Sequence, residues 1–274
     1  MTFSARTKLA AVLVGSGLVV TTAAQQQPAP TGYSDTPLQP NGKWRVHDGT
    51  RPQPRMVDTG TAPATPVPPP GDAVVLVGPA EDLGAWQMQA DGSPVTWSMK
   101  SGVLETGKGM IRTKQEFSDF QLHVEFATPS EVKGDSQGRG NSGVFLLGKF
   151  EIQVLDSYNN KTYPDGQASA MYGQFPPLVN ASRPPGAWQA YDIIFTAPRF
   201  ATSGTLEKPA IVTVLHNGVV VHNATPFWGP TTHKKIDAYE PNQTKGPIGL
   251  QDHGNPVRYR NIWIRPLKGY DETT

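Results

Sequence analysis

Carboxylate and amide side chains alternate with apolar ones along residues 150–156 (FEIQVLD). Because the side chains of a strand point alternately to its two faces, Glu151 and Gln153 are predicted to lie side by side, opposite an apolar face. Asp156 lies five positions after Glu151 and reaches the same face only if a β-bulge interrupts the strand. Two carboxyl groups about 5 Å apart would supply the nucleophile and the proton donor of glycoside hydrolysis. The alternative is a solvated sheet face with no chemical role.

A second group of polar residues occurs at residues 249–254 (GLQDHG), where glycines flank Gln251, Asp252 and His253. Glycine lets the backbone approach a ligand closely and adopt unusual φ values. Histidine is the side chain best matched to proton transfer near neutral pH, and the adjacent Asp252 could orient the ring of His253. The segment therefore predicts an acid–base centre, with a structural turn as the alternative.

Further polar and aromatic residues fit the recognition of an uncharged, hydroxyl-rich ligand. The amides of Asn141 and Asn180 could hydrogen-bond to sugar hydroxyls, although asparagine is equally common in turns. Tyr172 lies in residues 157–188, a long segment whose aromatic density suits stacking on sugar rings. His123 has a weaker claim to a role, which rests on its sharing a strand face with Glu125.

Short strands punctuated by glycine and proline must position these residues. They are predicted at residues 73–77, 95–99, 103–106, 110–113, 121–128, 142–147, 150–155, 191–197, 211–215, 219–222, 248–251 and 257–267. No segment of ten or more residues has a clear helical period. The sequence therefore predicts an all-β fold, a two-sheet antiparallel β-sandwich of the jelly-roll type. Asn217-Gly218 predicts a tight hairpin, and the long loop at residues 157–188 is expected to bind or cover something.

The last predicted strand alternates without interruption. One of its faces carries Val257, Tyr259, Asn261 and Trp263, and the other carries Arg258, Arg260, Ile262 and Ile264. Three tryptophans are assigned to the core, namely Trp86, Trp97 and Trp263.

Composition changes along the chain predict four parts. Residues 1–24 have the basic start, short apolar run and small residues of a cleavable signal peptide, with an uncleaved anchor as the alternative. Residues 25–71 form a Pro-rich extended arm, expected to be partly ordered, residues 72–268 the β-sandwich domain, and residues 269–274 a tail. The mature protein is expected to be secreted or periplasmic, without a membrane span after signal cleavage.

Charge and motifs exclude several function classes. A formal net charge of +1 without a block of Lys or Arg argues against nucleic acid as a partner. The absence of cysteine excludes disulfides, thiolate nucleophiles and zinc–thiolate sites. The sequence also lacks a G-x-S-x-G elbow, an H-E-x-x-H helix and a phosphate loop. Carboxylates, amides and histidine remain, and they suit an oligosaccharide or glycoside as the substrate.

With these residues in view, the chain resembles the 3-keto-disaccharide hydrolase family, whose sandwich fold is concanavalin A-like. The matching segments occur in order at residues 116–126 (EFSDFQLHVEF), 140–146 (GNSGVFL), 150–156 (FEIQVLD), 172–173 (YG), 180–188 (NASRPPGAW) and 248–254 (IGLQDHG). The resemblance implies substrates whose glucosyl unit is already oxidised at C3. A C3 ketone acidifies the C2 proton, so a base can remove it, the enolate can expel the C1 oxygen, and water can add back.

This route needs a base, a group that stabilises the enolate and a proton donor for the leaving group. For such a route we expect His253 to act as acid or base with Asp252 or Asp156 beside it, and Glu151 to act as the second proton-transfer group. The expected partners of the enolate or of substrate hydroxyls are Arg139, Asn141, Gln153, Tyr172, Asn180 and Gln251. No cofactor is firmly predicted, but a divalent metal ion on Glu151, Asp156 and His253 could replace the enolate-stabilising donors.

Two other functions stay open at this point. The same fold supports non-catalytic carbohydrate-binding modules, which would need aromatic residues on a sheet face but no converging histidine and carboxylate. An ordinary glycoside hydrolase would need Glu151 and Asp156 on one face.

Overall fold

The computed structural model describes residues 1–2 and 31–271, so that nearly all of the predicted signal peptide and the end of the tail lie outside the described residues. Within that part of the chain, no helix is long and apolar enough to cross a membrane. The only helical turns described are two short 3-10 helices, Ser136–Gly138 and Pro164–Gly166. The rest of the regular structure is β.

Seventeen strands are found in the described residues. They are β1 (Val74–Val77), β2 (Trp86–Met88), β3 (Ser98–Lys100), β4 (Val103–Glu105), β5 (Ile111–Thr113), β6 (Phe120–Ala127), β7 (Ser142–Leu146), β8 (Phe150–Val154), β9 (Gln189–Thr196), β10 (Arg199–Phe200), β11 (Leu206–Lys208), β12 (Ile211–His216), β13 (Val219–Pro226), β14 (Thr231–Thr232), β15 (Lys235–Ile236), β16 (Gly249–Leu250) and β17 (Arg258–Pro266). Twelve of them overlap the predicted strands; β2, β10, β11, β14 and β15 are the five that no prediction covers.

The strands form two main antiparallel sheets. The large sheet has the order β13-β12-β9-β6-β17-β4-β3, with β1 also paired to β17, and the small sheet has the order β2-β5-β16-β7-β8. Asn217 and Gly218 both have positive φ in the tight turn between β12 and β13. The predicted two-sheet antiparallel sandwich is therefore confirmed.

The core lies between the two sheets, and the alternation of β6 and β8 builds it. Phe120, Leu122, Val124 and Phe126 of β6 are fully buried in the same cluster as Phe150, Ile152 and Val154 of β8. Because neighbouring side chains in a strand point to opposite faces, Glu151 and Gln153 point to the outer face of the small sheet. The core thus determines on which side of the sandwich these polar residues lie.

A β-bulge interrupts β17 and corrects the prediction of unbroken alternation. The pairing of β17 with β6 shifts register between Arg260 and Trp263, and Asn261 has φ of 48°. Tyr259 lies in the core before the bulge, whereas Ile262 and Ile264 lie in the core after it. Trp263 consequently leaves the core and stacks on His123 on the outer face of the large sheet, with ring centroids 5.2 Å apart. Trp86 and Trp97 are in the core, as predicted.

His123 belongs to a polar network on that outer face, away from Glu151. Its Nδ1 lies 2.7 Å from Asp192 Oδ1, and its Nε2 lies 3.6 Å from Glu125 Oε1. Burial alone would lower the pKa of His123. The carboxylates of Asp192 and Glu125 outweigh this effect and raise the pKa to about 9. Glu125 also accepts a hydrogen bond from Arg260 Nε at 2.6 Å. The shared face of His123 and Glu125 therefore holds an ion-paired network on the side of the sandwich opposite Glu151.

The N-terminal arm is docked on the domain rather than free of it. Met56 forms a parallel bridge with Asn180, the Val57 N–H donates to the Asn180 carbonyl at 2.9 Å, and the Asn180 N–H donates to the Arg55 carbonyl at 2.9 Å. Further along, Asn261 Nδ2 donates to the Val67 carbonyl at 2.9 Å. Backbone groups of the arm thus find partners on the sandwich.

Candidate active site

A cavity of about 510 Å³ opens on the outer face of the small sheet. The sheet floor, the long loop, the arm and the segment after β16 all contribute side chains to it. The residues lining it are Tyr33, Gln137, Asn141, Phe145, Glu151, Gln153, Tyr163, Tyr172, Thr231, Thr232, His233, Gln251 and His253. Glu151 is the one carboxylate among them.

Glu151 lies on β8, the edge strand of the small sheet, and its surroundings remove it from water. Its side chain is almost fully buried, with 5% of the residue exposed. Burial alone raises the pKa of Glu151 to about 8. A carboxyl group that titrates near neutrality can exchange protons with a substrate under ordinary conditions.

Gly143 on β7 makes room for this carboxyl group. A Cβ atom at position 143 would lie 3.0 Å from the Glu151 carboxyl carbon and closer still to its Oε1. No unusual φ is involved, so the glycine is required by space rather than by backbone conformation. The Glu151 side chain therefore lies across the strand over Gly143.

The chain segment after the Pro164–Gly166 turn pairs with the open edge of β8 and brings Tyr172 to the site. The Gln153 N–H donates to the Ala170 carbonyl at 3.0 Å, and the Tyr172 N–H donates to the Glu151 carbonyl at 3.2 Å. These bonds fix Tyr172 beside the catalytic candidate Glu151. The long loop thus covers the sheet edge and supplies a wall of the cavity, the kind of role expected for it.

Tyr172 belongs to a chain of polar rings. Its hydroxyl lies 3.1 Å from that of Tyr163 and 2.9 Å from Nδ1 of His233. Burial raises the pKa of Tyr172 and that of Tyr163 above the usual tyrosine value, so both hydroxyls stay protonated at neutral pH. Burial also lowers the pKa of His233, with the nearby histidines and Lys234 acting in the same direction. The hydroxyl groups of Tyr163 and Tyr172 can therefore donate hydrogen bonds into the cavity.

Gln137 organises the amides on the other side of Glu151. It accepts a hydrogen bond from Gln153 Nε2 at 2.9 Å, and its carbonyl accepts one from Asn141 Nδ2 at 2.7 Å. Gln137 itself is held by Thr162 and by the carbonyl of Gly166, each at 2.9 Å from its Nε2. The side-chain oxygens of Asn141 and Gln153 have no hydrogen-bond partner among the described residues. Both oxygens are buried and keep unmet acceptor capacity beside the cavity.

His253 lines the cavity from an exposed position, and Gln251 lies beside it. Asp252 does not face the ring of His253. Its carboxylate accepts the N–H groups of Gly109 and Gly254, each at 2.8 Å, and so closes the turn. The structure therefore brings His253 and Gln251 to the site and gives Asp252 a structural role.

Three other predicted residues lie outside the cavity. The β7–β8 pairing has no register shift, so the bulge that would bring Asp156 beside Glu151 is not formed. Asp156 instead accepts a hydrogen bond from Arg139 Nε at 2.6 Å, and both border a separate cavity of about 270 Å³. Burial raises the pKa of Asp156, against the opposing effect of Arg139. Asn180 holds the arm and donates its Nδ2 to the Ser157 carbonyl at 2.9 Å.

The predicted metal ligands are not gathered. Among the residues the structure describes, no group of three or more His, Cys, Asp or Glu side chains is placed to hold a metal ion. Glu151 and His253 line one cavity, while Asp156 is paired with Arg139 at another. A metal ion held by Glu151, Asp156 and His253 together, which the sequence left open, does not fit this arrangement.

Tyr33, Gln137 and His233 were not identified from the sequence as site residues. Tyr33 comes from the Pro-rich arm, Gln137 from a short 3-10 helix, and His233 from the turn between β14 and β15. None lies in an alternating strand or a glycine-flanked motif. The signals that the arm would dock are the apolar and basic segments at residues 43–47 (KWRVH) and 51–57 (RPQPRMV).

Comparison with known proteins gives the family. The family model of the 3-keto-alpha-glucoside-1,2-lyase-like domain matches residues 72–265. A solved structure from Parabacteroides distasonis ATCC 8503, provisionally described as a glycosyl hydrolase, is 42% identical and covers 76% of this chain and 100% of its own, with a TM-score of 0.68. A second protein of that organism with the same provisional description is 18% identical, covers 72% of this chain and 94% of its own, and shows the shared fold with a TM-score of 0.53.

None of the curated proteins matches this sequence. The family model nevertheless covers most of the chain, and the 42% identical structure spans three quarters of it. The candidate site lies largely within the matched residues, since twelve of its thirteen lining residues are in that range and Tyr33 alone is not. The chain belongs to the family of 3-keto-alpha-glucoside-1,2-lyase-like domains.

Proposed function

We propose that this protein cleaves glycosides whose glucosyl unit carries a ketone at C3. A base removes the C2 proton, the resulting enolate expels the C1 oxygen as an alcohol that takes up a proton, and water then adds to the C1–C2 double bond. The proposal places this chemistry outside the cytoplasm, in keeping with the signal-like start of the sequence. The family match supports the substrate class.

The observation that carries the proposal is the single buried carboxylate in the cavity. A retaining or inverting glycosidase uses two carboxyl groups on either side of the glycosidic bond. The described cavity holds Glu151 alone, surrounded by amides, tyrosines and histidines. An elimination next to a ketone needs one base and several hydrogen-bond donors, and this donor set fits that requirement better.

Each role follows from position. Glu151 acts as the base at C2, because it is the buried group that titrates near neutrality. The protonated hydroxyl of Tyr172, connected to Tyr163 and His233, donates to the enolate oxygen. His253 lies exposed at the edge of the cavity and protonates the leaving oxygen. The unpaired oxygens of Asn141 and Gln153 accept hydrogen bonds from sugar hydroxyls.

One assay tests the proposal. The protein is incubated with p-nitrophenyl α-glucoside and with its 3-keto derivative, with and without a chelator, and nitrophenol release is followed. We expect release from the keto compound alone. Release from the unmodified glucoside would instead support an ordinary glycosidase, and binding of either compound without turnover would support a carbohydrate-binding module. The chelator arm reports whether a metal ion carried by the protein contributes to turnover.

Substitution of Gly143 should impair the reaction through Glu151. Gly143→Ala places a methyl group where the Glu151 carboxyl now lies, and we expect a loss in kcat of roughly 10- to 100-fold because a displaced base transfers protons poorly. Gly71→Ala is the matched control, since no atom lies within 4 Å of the Cβ it would add. Steady-state rates with the keto-glucoside measure the effect. Equal kcat values for the two variants would show that the added methyl group does not displace the Glu151 carboxyl group from its catalytic position.

A further inference from the structure

The N-terminal arm is clamped to the wall of the candidate site by a buried carboxylate. Asp165 is fully buried and accepts hydrogen bonds from the backbone N–H of His47 at 2.9 Å and from Nε2 of Gln39 at 3.1 Å. Its other oxygen lies 3.2 Å from Nδ1 of His47. Gln39 is buried as well, and Arg51 donates to its side-chain oxygen at 3.1 Å. A buried carboxylate satisfied by three groups of the arm fixes the arm in one position.

We call Asp165 and its partners Gln39 and His47 the clamp. The clamp holds the ring of His47 in contact with two tyrosines of the cavity. The ring centroid of His47 lies 4.2 Å from that of Tyr163 and 4.7 Å from that of Tyr172. Both tyrosines line the cavity, whereas His47 is fully buried behind them. The arm therefore backs one wall of the site.

Tyr33 carries the arm into the cavity itself. Its backbone N–H donates to the His47 carbonyl at 2.9 Å, which ties it to the clamp. The ammonium of Lys234 lies 3.5 Å from the centre of the Tyr33 ring, a cation–π contact that holds the ring in place. The ring also meets that of His233 edge-on, with centroids 5.7 Å apart. A fixed, half-exposed aromatic ring is a suitable surface for the C–H face of a sugar.

We propose that the arm completes the sugar-binding site and that Tyr33 is a residue that determines affinity for the glycoside. The matched family domain begins at residue 72, so Tyr33 is a contribution from outside that domain. The proposal rests on the proposed function only for the kind of sugar that is bound. It assigns to Tyr33 of the arm a direct contact with the ligand, in addition to the attachment of the arm to the domain.

The test measures binding separately from turnover. The Glu151→Gln protein is titrated calorimetrically with p-nitrophenyl α-glucoside and with its 3-keto derivative, and Tyr33→Ala and Tyr33→Phe are then compared on that background. We expect Tyr33→Ala to raise the Kd of the tighter ligand at least tenfold and Tyr33→Phe to stay within threefold. Tyr33→Ala keeps the backbone N–H that binds His47, so the arm retains its clamp. Tyr270→Ala, at a fully exposed tyrosine near the C-terminus, is the matched control and should change nothing.

The outcomes separate this inference from the proposed function. A Kd that Tyr33→Ala leaves within twofold, or no binding of either glucoside to any variant, overturns the contact between arm and sugar. Binding that depends on Tyr33, together with a wild-type protein that turns over neither compound, supports the inference while the proposed function fails.

Discussion

Glu151→Gln should lower kcat for the 3-keto glucoside about a thousandfold while KM changes only a few-fold. Glutamine keeps the shape of the side chain but cannot take the C2 proton, and a positioned general base contributes roughly 10²- to 10⁴-fold. The effect falls on kcat because the lost interaction is made mainly in the transition state. Glu151 has no second carboxylate among the residues lining its cavity to replace it.

Steady-state kinetics of nitrophenol release measure this loss, with Glu105→Gln on the exposed end of β4 as the matched control. The pH profile gives an independent check. Because burial raises the pKa of Glu151 to about 8, the ionised base becomes available as the pH rises toward that value, and wild-type kcat/KM should increase accordingly. A Glu151→Gln variant within tenfold of wild type, or a rate that falls through this range, would remove Glu151 from the role of base.

The same substitution should make the folded protein less sensitive to alkaline pH. In the unfolded chain Glu151 loses its proton near the ordinary glutamate pKa of 4.5, whereas in the folded protein it keeps the proton up to about 8. Between these values the native state binds one more proton than the unfolded state, so the free energy of unfolding falls as the pH rises. At roughly 1.4 kcal/mol for each pKa unit, the cost to the wild type at pH 7 is on the order of 3 kcal/mol. Glu151→Gln removes it.

Urea unfolding at pH 5 and at pH 8 measures this difference. The free energy of unfolding of Glu151→Gln, relative to wild type, should be larger at pH 8 than at pH 5 by a few kcal/mol. Glu105→Gln should show no such change, because that side chain is exposed. A pH-independent difference for Glu151→Gln would mean that the carboxyl group titrates in the folded protein much as it does in water.

The two results would have one cause. A buried carboxyl group with a raised pKa destabilises the fold above the unfolded-state pKa, and that raised pKa suits it to take a proton near neutrality. A variant that is more stable but inactive is the expected signature of a residue kept for its chemistry.

The sequence by itself determined the architecture and the floor of the site. Strand alternation in β6 and β8 indicated which side chains enter the core, and Asn217-Gly218 indicated a hairpin, because both signals are local and depend on backbone geometry alone. The same alternation placed Glu151 and Gln153 together on one face. Six short segments in order also indicate the family.

Only the tertiary structure decided which residues join Glu151. The bulge at Asn261 reverses the alternation of β17, and the absence of one in β8 leaves Asp156 with Arg139. Tyr33 reaches the cavity because Asp165, more than a hundred residues away from His47 in sequence, clamps the arm. Bulges and buried clamps depend on partners distant in the chain, and a local pattern of residues carries no information about those partners.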